Sequence, residues 1–134
     1  MSFQLYLAVT LGGALGTTMR HFFSGLIANT FGQTFPWGTL FVNVTGSFVI
    51  GFFAALSGPD GRLLVSGATR QFVMLGVCGG YTTFSSFSLQ TLNLINDGEW
   101  LYVSGNIVGS VVLCLLFVWL GAMAGGVLNQ LKGA

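Results

Sequence analysis

The chain has 134 residues, of which 53% are hydrophobic and only 5% charged, four Lys or Arg against three Asp or Glu. A soluble domain carries roughly a quarter of its residues charged to hold its surface in water, so this balance, with a mean hydropathy of +0.82, excludes a soluble globular protein and points to a lipid bilayer as the partner. The basic residues are few and scattered, which leaves no electrostatic footprint for nucleic acid.

The first apolar stretch predicts a helix over residues 4–28. No basic segment precedes it, and Gly12, Gly13 and Gly16 suit helix packing better than signal cleavage, so it is expected to be a retained span. Residues 29–36 are polar and end in Pro36, which predicts a loop, then a second helix over 37–57. Ser57-Gly-Pro-Asp-Gly is a turn sequence. A third helix is predicted over 68–95, a polar loop at Asn96-Asp-Gly-Glu, and a fourth helix over 100–128. Each stretch is long enough to cross a bilayer, and Asp60, Asp97 and Glu99 all fall in loops. The expectation is an all-α membrane protein, one four-helix transmembrane domain over residues 1–134. Cys78 and Cys114 fall inside predicted spans and read as small apolar fillers.

Four short helices enclose little, so a polar path through the bilayer is expected at an interface between copies. The pairs Gly12/Gly16, Gly76/Gly80, Gly105/Gly109 and Gly121/Gly125 permit close helix contact, within the chain or between chains. With four spans, Arg62, Arg70 and Lys132 share one side and Arg20 lies toward the other. So weak a bias sets orientation poorly, and a chain that inserts both ways could pair with its own inverted copy.

Residues 79–88, GGYTTFSSFS, interrupt the third apolar stretch. Glycine and threonine are poor helix formers, so a break near mid-membrane is expected. Carbonyls freed there must line a cavity or hold a cation, because hydrocarbon offers them no partner. The hydroxyls of Thr82, Thr83, Ser85, Ser86 and Ser88 could line an aqueous path, or could simply bond back to their own helix. Phe84 and Phe87, three apart, share a helix face. Their positive ring edges would offer a small anion a site without full positive charge, binding it loosely enough to be released.

The segment Trp37-Gly-Thr-Leu-Phe-Val-Asn-Val-Thr-Gly-Ser-Phe, with Asn43 inside it, and the segment Gly76-Val-Cys-Gly-Gly-Tyr-Thr-Thr-Phe-Ser-Ser-Phe-Ser closely resemble the small dual-topology fluoride channels of the Fluc family. Gly12-Gly-Ala-Leu-Gly with Thr17-Thr-Met-Arg20, and Tyr102-Val-Ser-Gly-Asn-Ile-Val-Gly-Ser110, extend the likeness over nearly the whole chain. The resemblance implies an antiparallel homodimer in a bacterial inner membrane, with two pores along the subunit interface that passively export fluoride from the cytoplasm. It implies that Phe84 and Phe87 present ring edges to the ion and that Asn43 bonds the ion or a phenylalanine; by helix spacing Ser88 or Thr83 falls close to the two rings and joins the candidate pore residues. Tyr102, Asn106 and Ser110 match a polar track on the fourth helix, with Asn106 standing where some members have serine. Arg20 matches an arginine near the aqueous vestibule, and the backbone carbonyls of Gly79 and Thr82 match the ligands of a structural sodium ion at the dimer interface.

Two other classes meet the same composition. A proton-coupled small multidrug exporter also has four helices, but it needs a titratable carboxylate inside the membrane, and no Asp or Glu lies in the predicted spans. A non-transporting assembly subunit would need only the glycine pairs. An enzyme is not expected: the lone His21, the loop acids and two membrane thiols bring no nucleophile and base together, and no phosphate loop or metal-ligand cluster is present.

Overall fold

The computed structural model describes residues 2–132, with the side chain of Lys132, which entered the charge comparison above, outside the described residues together with Met1, Gly133 and Ala134. Every element in the described residues is helical. Helix α1 spans Phe3–Phe31 and stops where Gly32 takes φ 94°, its N–H donating to the Ala28 carbonyl at 2.8 Å. A left-handed residue closing a helix in this way is favoured by glycine's missing Cβ. Helix α2 spans Trp37–Leu56, entered from Pro36, whose ring fixes φ and lacks the N–H a helix start would leave unpaired anyway. It ends at Ser57, whose hydroxyl and N–H both reach the Phe53 carbonyl.

The third apolar stretch forms several pieces. Ser66 caps α3 (Gly67–Gln71) by accepting from the Thr69 N–H. A π-helical segment, Phe72–Cys78, follows, then the single turn of α4 (Gly79–Tyr81), two extended residues, and α5 (Phe84–Asn96). The break lies at Thr82 and Thr83, as the sequence leads one to expect. The wide π turn is additional, and such turns recur at functional sites. Helix α6, Trp100–Lys132, is uninterrupted over 33 residues, about 50 Å at 1.5 Å per residue. Helix α2, the stretch 67–96 and α6 are each long and apolar enough to cross a membrane.

Glycines decide how the helices meet. Helix α1 crosses the π segment where Gly12 faces Gly76: a Cβ on Gly76 would lie 2.9 Å from the Gly12 Cα. Helix α2 crosses α6 where a Cβ on Gly121 would meet backbone atoms of Phe48 and Phe52. Only small residues let backbones approach so closely. Gly105 and Gly109 differ from the other pairs, because no atom lies within 4 Å of where a Gly109 Cβ would stand and only the Phe35 ring nears that of Gly105. The apolar core is correspondingly slight, formed by Val42, Leu56, Cys78, Leu94 and Val103, while large hydrophobics such as Leu101, Leu115 and Trp119 are exposed. In a bilayer that outward apolar surface is the ordinary state.

Candidate functional site

The site begins with the backbone of the break. Thr82 (φ −87°, ψ 160°) and Thr83 (φ −156°, ψ 114°) are extended, so the helical i to i−4 ladder stops. In an unbroken helix the Thr83 N–H would reach the Gly79 carbonyl. It donates instead to Asn43 Oδ1 at 2.8 Å, and Asn43 Nδ2 donates to the Thr83 carbonyl at 3.1 Å. One carboxamide from α2 thus satisfies a donor and an acceptor that hydrocarbon would leave bare. The Ser86 N–H, which a continuous helix would direct to the Thr82 carbonyl, bonds Thr83 Oγ1 at 3.2 Å. The carbonyls of Gly79 and Thr82 are therefore both released from their helical donors.

Helices α1 and α2 both brace this segment further. From α1, Arg20 Nε donates to the Gly80 carbonyl at 3.0 Å and Thr17 Oγ1 reaches the same oxygen at 3.5 Å. From α2, Thr45 Oγ1 and the Tyr81 hydroxyl lie 2.8 Å apart, and the Tyr81 ring meets Phe23 edge to face. Gly46 leaves room for the Thr82 methyl group. The break is held by groups on both neighbours, which makes it a fixed feature rather than a frayed end.

A cleft of about 400 Å³ opens beside it, lined by Asn43, Ser47, Gly79, Thr82, Thr83, Phe84, Phe87 and Ser110, with Cys78 and Cys114 on its walls. No lining residue carries a charge. The Phe84 and Phe87 rings lie 5.3 Å apart at 44°, and Phe84 is 77% exposed. The hydroxyls here are already engaged: Ser47 donates to the Asn43 carbonyl at 2.7 Å and Thr82 to the Cys78 carbonyl at 3.0 Å. Apart from the freed carbonyls of Gly79 and Thr82, the groups left without a partner among the lining residues are the Phe84 and Phe87 rings and the second N–H of the Asn43 amide. Uncharged, partly positive groups of this kind suit an anion held weakly, whereas freed carbonyls suit a hard cation.

The other residues singled out from sequence have different surroundings. Ser88 bonds back to the Phe84 carbonyl at 3.0 Å on an exposed face. Tyr102 stands two helical turns from Ser110 and packs edge to face on Phe35, with ring centroids 5.7 Å apart. Asn106 is 2% exposed, donating through Nδ2 to Thr91 Oγ1 at 3.0 Å and accepting from Ser110 Oγ at 3.3 Å. Thr91 donates in turn to the Phe87 carbonyl at 2.7 Å. Sequence reasoning did not single out Thr91. Its only signal was its place one turn beyond Phe87, where a helical threonine can reach the carbonyl four residues back.

A larger cavity of about 570 Å³ lies at one end of the bundle, between the 32–36 loop and the end of α5, lined by His21, Thr39, Gln90, Asn93, Asp97 and Glu99 among others. Two carboxylates on its rim make it the less favourable place for an anion to dwell. Among the described residues, no group of three or more His, Cys, Asp or Glu is placed to hold a metal ion.

Residues 7–122 match the family described as CrcB-like protein, Camphor Resistance. A protein of Opitutus terrae called fluoride-specific ion channel FluC is 63% identical over 131 residues, covering 98% of this chain and 99% of that one. The FluC proteins of Rhodospirillum rubrum and Methylocella silvestris are 59% and 54% identical, covering 93% and 96% of this chain and 97% and 98% of their own lengths.

Proposed function

The chain belongs to the CrcB-like family of membrane proteins, and from that premise we propose that it is a passive fluoride-selective ion channel of the bacterial inner membrane, exporting fluoride from the cytoplasm. It acts as an antiparallel homodimer with two pores along the subunit interface. It is not an enzyme. The observation that carries the reading is the uncharged cleft at the helix break, where Phe84, Phe87 and the Asn43 amide converge.

Fluoride is small and strongly hydrated, so a pore for it must replace water with several electropositive contacts and still release the ion. Ring edges and an amide N–H meet both needs. A lysine or arginine in the same slot would bind more tightly and slow departure. The work of export comes from the membrane: a potential negative inside drives a monovalent anion outward with about 2.3 kcal/mol per 100 mV.

Two observations support the dimer. Phe84 stands 77% exposed on a single chain although it lines the cleft, so a second copy laid over this face would close the slot. No neighbouring element lies within 4 Å of where a Gly109 Cβ would stand, unlike the glycines at the helix crossings described above. The weak charge bias of the sequence is compatible with insertion both ways, which an antiparallel pair requires.

A structural sodium ion at the centre of the dimer belongs to the same proposal. The carbonyls of Gly79 and Thr82 would hold it: both have lost their helical donors to Asn43 and to Thr83 Oγ1, and oxygen atoms are the ligands a hard cation takes. Two carbonyls from each copy would supply a set of four. Such an ion would contribute fixed charge that locks the two breaks together. Arg20, bonded to the Gly80 carbonyl, would add positive potential on the approach to the cleft. Tyr102 and Ser110 are assigned to a track along α6, with the buried Asn106 between them, and Thr83 and Ser88 to the margin of the slot. Fluoride efflux from vesicles containing the purified protein tests the reading, with silent vesicles as the contrary result.

A further inference from the structure

One hydrogen-bond chain joins two residues that line the cleft, Ser110 and Phe87. It runs from Ser110 through Asn106 and Thr91 to the Phe87 carbonyl, with Asn106 2% exposed and Thr91 and Ser110 each 8% exposed. The protons along it can run in only one direction. Thr91 Oγ1 stands 2.7 Å from the Phe87 carbonyl oxygen, and a carbonyl has no proton to give, so the single hydroxyl proton of Thr91 lies in that bond. Thr91 can then only accept from Asn106. The amide must turn its NH₂ toward Thr91 and its Oδ1 toward Ser110, and the opposite flip would set two acceptors against each other. Ser110 in turn must give its one proton to Asn106 Oδ1, at a long 3.3 Å.

Resting on the channel reading above, we infer that Asn106 and Thr91 are positioning residues that compete with the permeating anion for the Ser110 proton. At rest Ser110 shows the cleft a lone pair. An arriving fluoride can draw the hydroxyl proton to itself only by breaking the bond to Asn106 Oδ1, which is then left buried without a donor. The ion gains a donor and loses part of that gain at once, so occupancy stays loose enough for exit. Asn106 acts through Ser110 without touching the ion.

The test is the fluoride concentration dependence of flux through the purified, reconstituted protein, comparing half-saturating concentration with maximal rate. Asn106→Leu removes the competitor at similar volume. Thr91→Val removes the acceptor that holds the amide in place, so the amide can turn its NH₂ to Ser110. Both variants free the Ser110 proton, and each should lower the half-saturating concentration about five-fold, the worth of one modest hydrogen bond. Thr91→Ser keeps the hydroxyl and should restore the original value. With Ser110→Ala added, neither variant should shift it. A purely structural role would lower maximal rate in all of them without tightening binding. Fluoride flux with an unshifted half-saturation in both single variants, or a shift that survives Ser110→Ala, overturns the inference and leaves the channel reading standing. Absence of fluoride flux in the unmodified protein overturns both.

Discussion

The carboxamide of Asn43 offers the sharpest perturbation, because Asn43→Asp changes one NH₂ group into one oxygen. The bond from the Thr83 N–H to Oδ1, 2.8 Å long, is retained. The bond from Nδ2 to the Thr83 carbonyl, 3.1 Å long, becomes an oxygen facing an oxygen. Leaving that carbonyl without a donor costs about 1–3 kcal/mol, which a braced break can absorb without unfolding. The effect on conduction is larger. A carboxylate on the cleft wall about 5 Å from an anion repels it by about 3 kcal/mol at an effective dielectric constant of about 20, a loss of occupancy of more than about a hundred-fold. The assay is fluoride efflux at neutral pH from vesicles holding the purified variant, read with an ion-selective electrode, with circular dichroism and size-exclusion profiles to establish that it is folded. Asn43→Leu, which removes both bonds without adding charge, separates loss of the brace from repulsion and should conduct better than the aspartate. A folded Asn43→Asp protein that conducts within about three-fold of the unmodified one would refute the placement of Asn43 on the ion path.

Phe84→Ile and Phe87→Ile keep apolar bulk but remove the positive ring edge; each should suppress fluoride efflux while leaving folded protein, and undiminished flux in both would remove the ring-edge site. Gly76→Ala should destabilise the fold by about 1–3 kcal/mol, since its Cβ would lie 2.9 Å from the Gly12 Cα; Gly126→Ala, with nothing within 4 Å, should leave thermal stability level or raised, and equal effects at the two positions would contradict the helix crossing described here. Replacing sodium by a large organic cation throughout purification should weaken the dimer and its flux if the Gly79 and Thr82 carbonyls hold the ion, and full activity without any alkali cation would exclude it. A cysteine placed near the C-terminus should label from both faces of the cell membrane; labelling from one face only would end the antiparallel reading.

The helical class and the interrupted third helix were legible because they rest on local properties. Continuous uncharged apolar runs this long call for helices in lipid, because the strands of a closed barrel are short and alternate apolar with polar residues, and Gly79-Gly80 with Thr82-Thr83 weakens a helix wherever it stands. The partners of the break were not legible in the same way. Asn43 is forty positions from Thr83, and no periodicity in either helix reports that its amide spans both backbone groups. The π segment Phe72–Cys78 was equally hidden, since its composition is that of any apolar helix and its position is tied to the crossing with α1 at Gly12. Within the stretch of hydroxyls, sequence supplied the inventory without the direction of the protons. Ser47, Thr82 and Ser110 line the cleft, yet each has a partner within the protein. Thr91 escaped notice because its importance lies in the pairing with Asn106 across two helices.

The most direct test is fluoride and chloride efflux measured side by side from vesicles containing the purified chain under the same potential. An uncharged slot of ring edges and one amide predicts rapid fluoride efflux, with chloride retained at the level of empty vesicles. Chloride leaving as fast as fluoride, or neither ion leaving, would contradict the account.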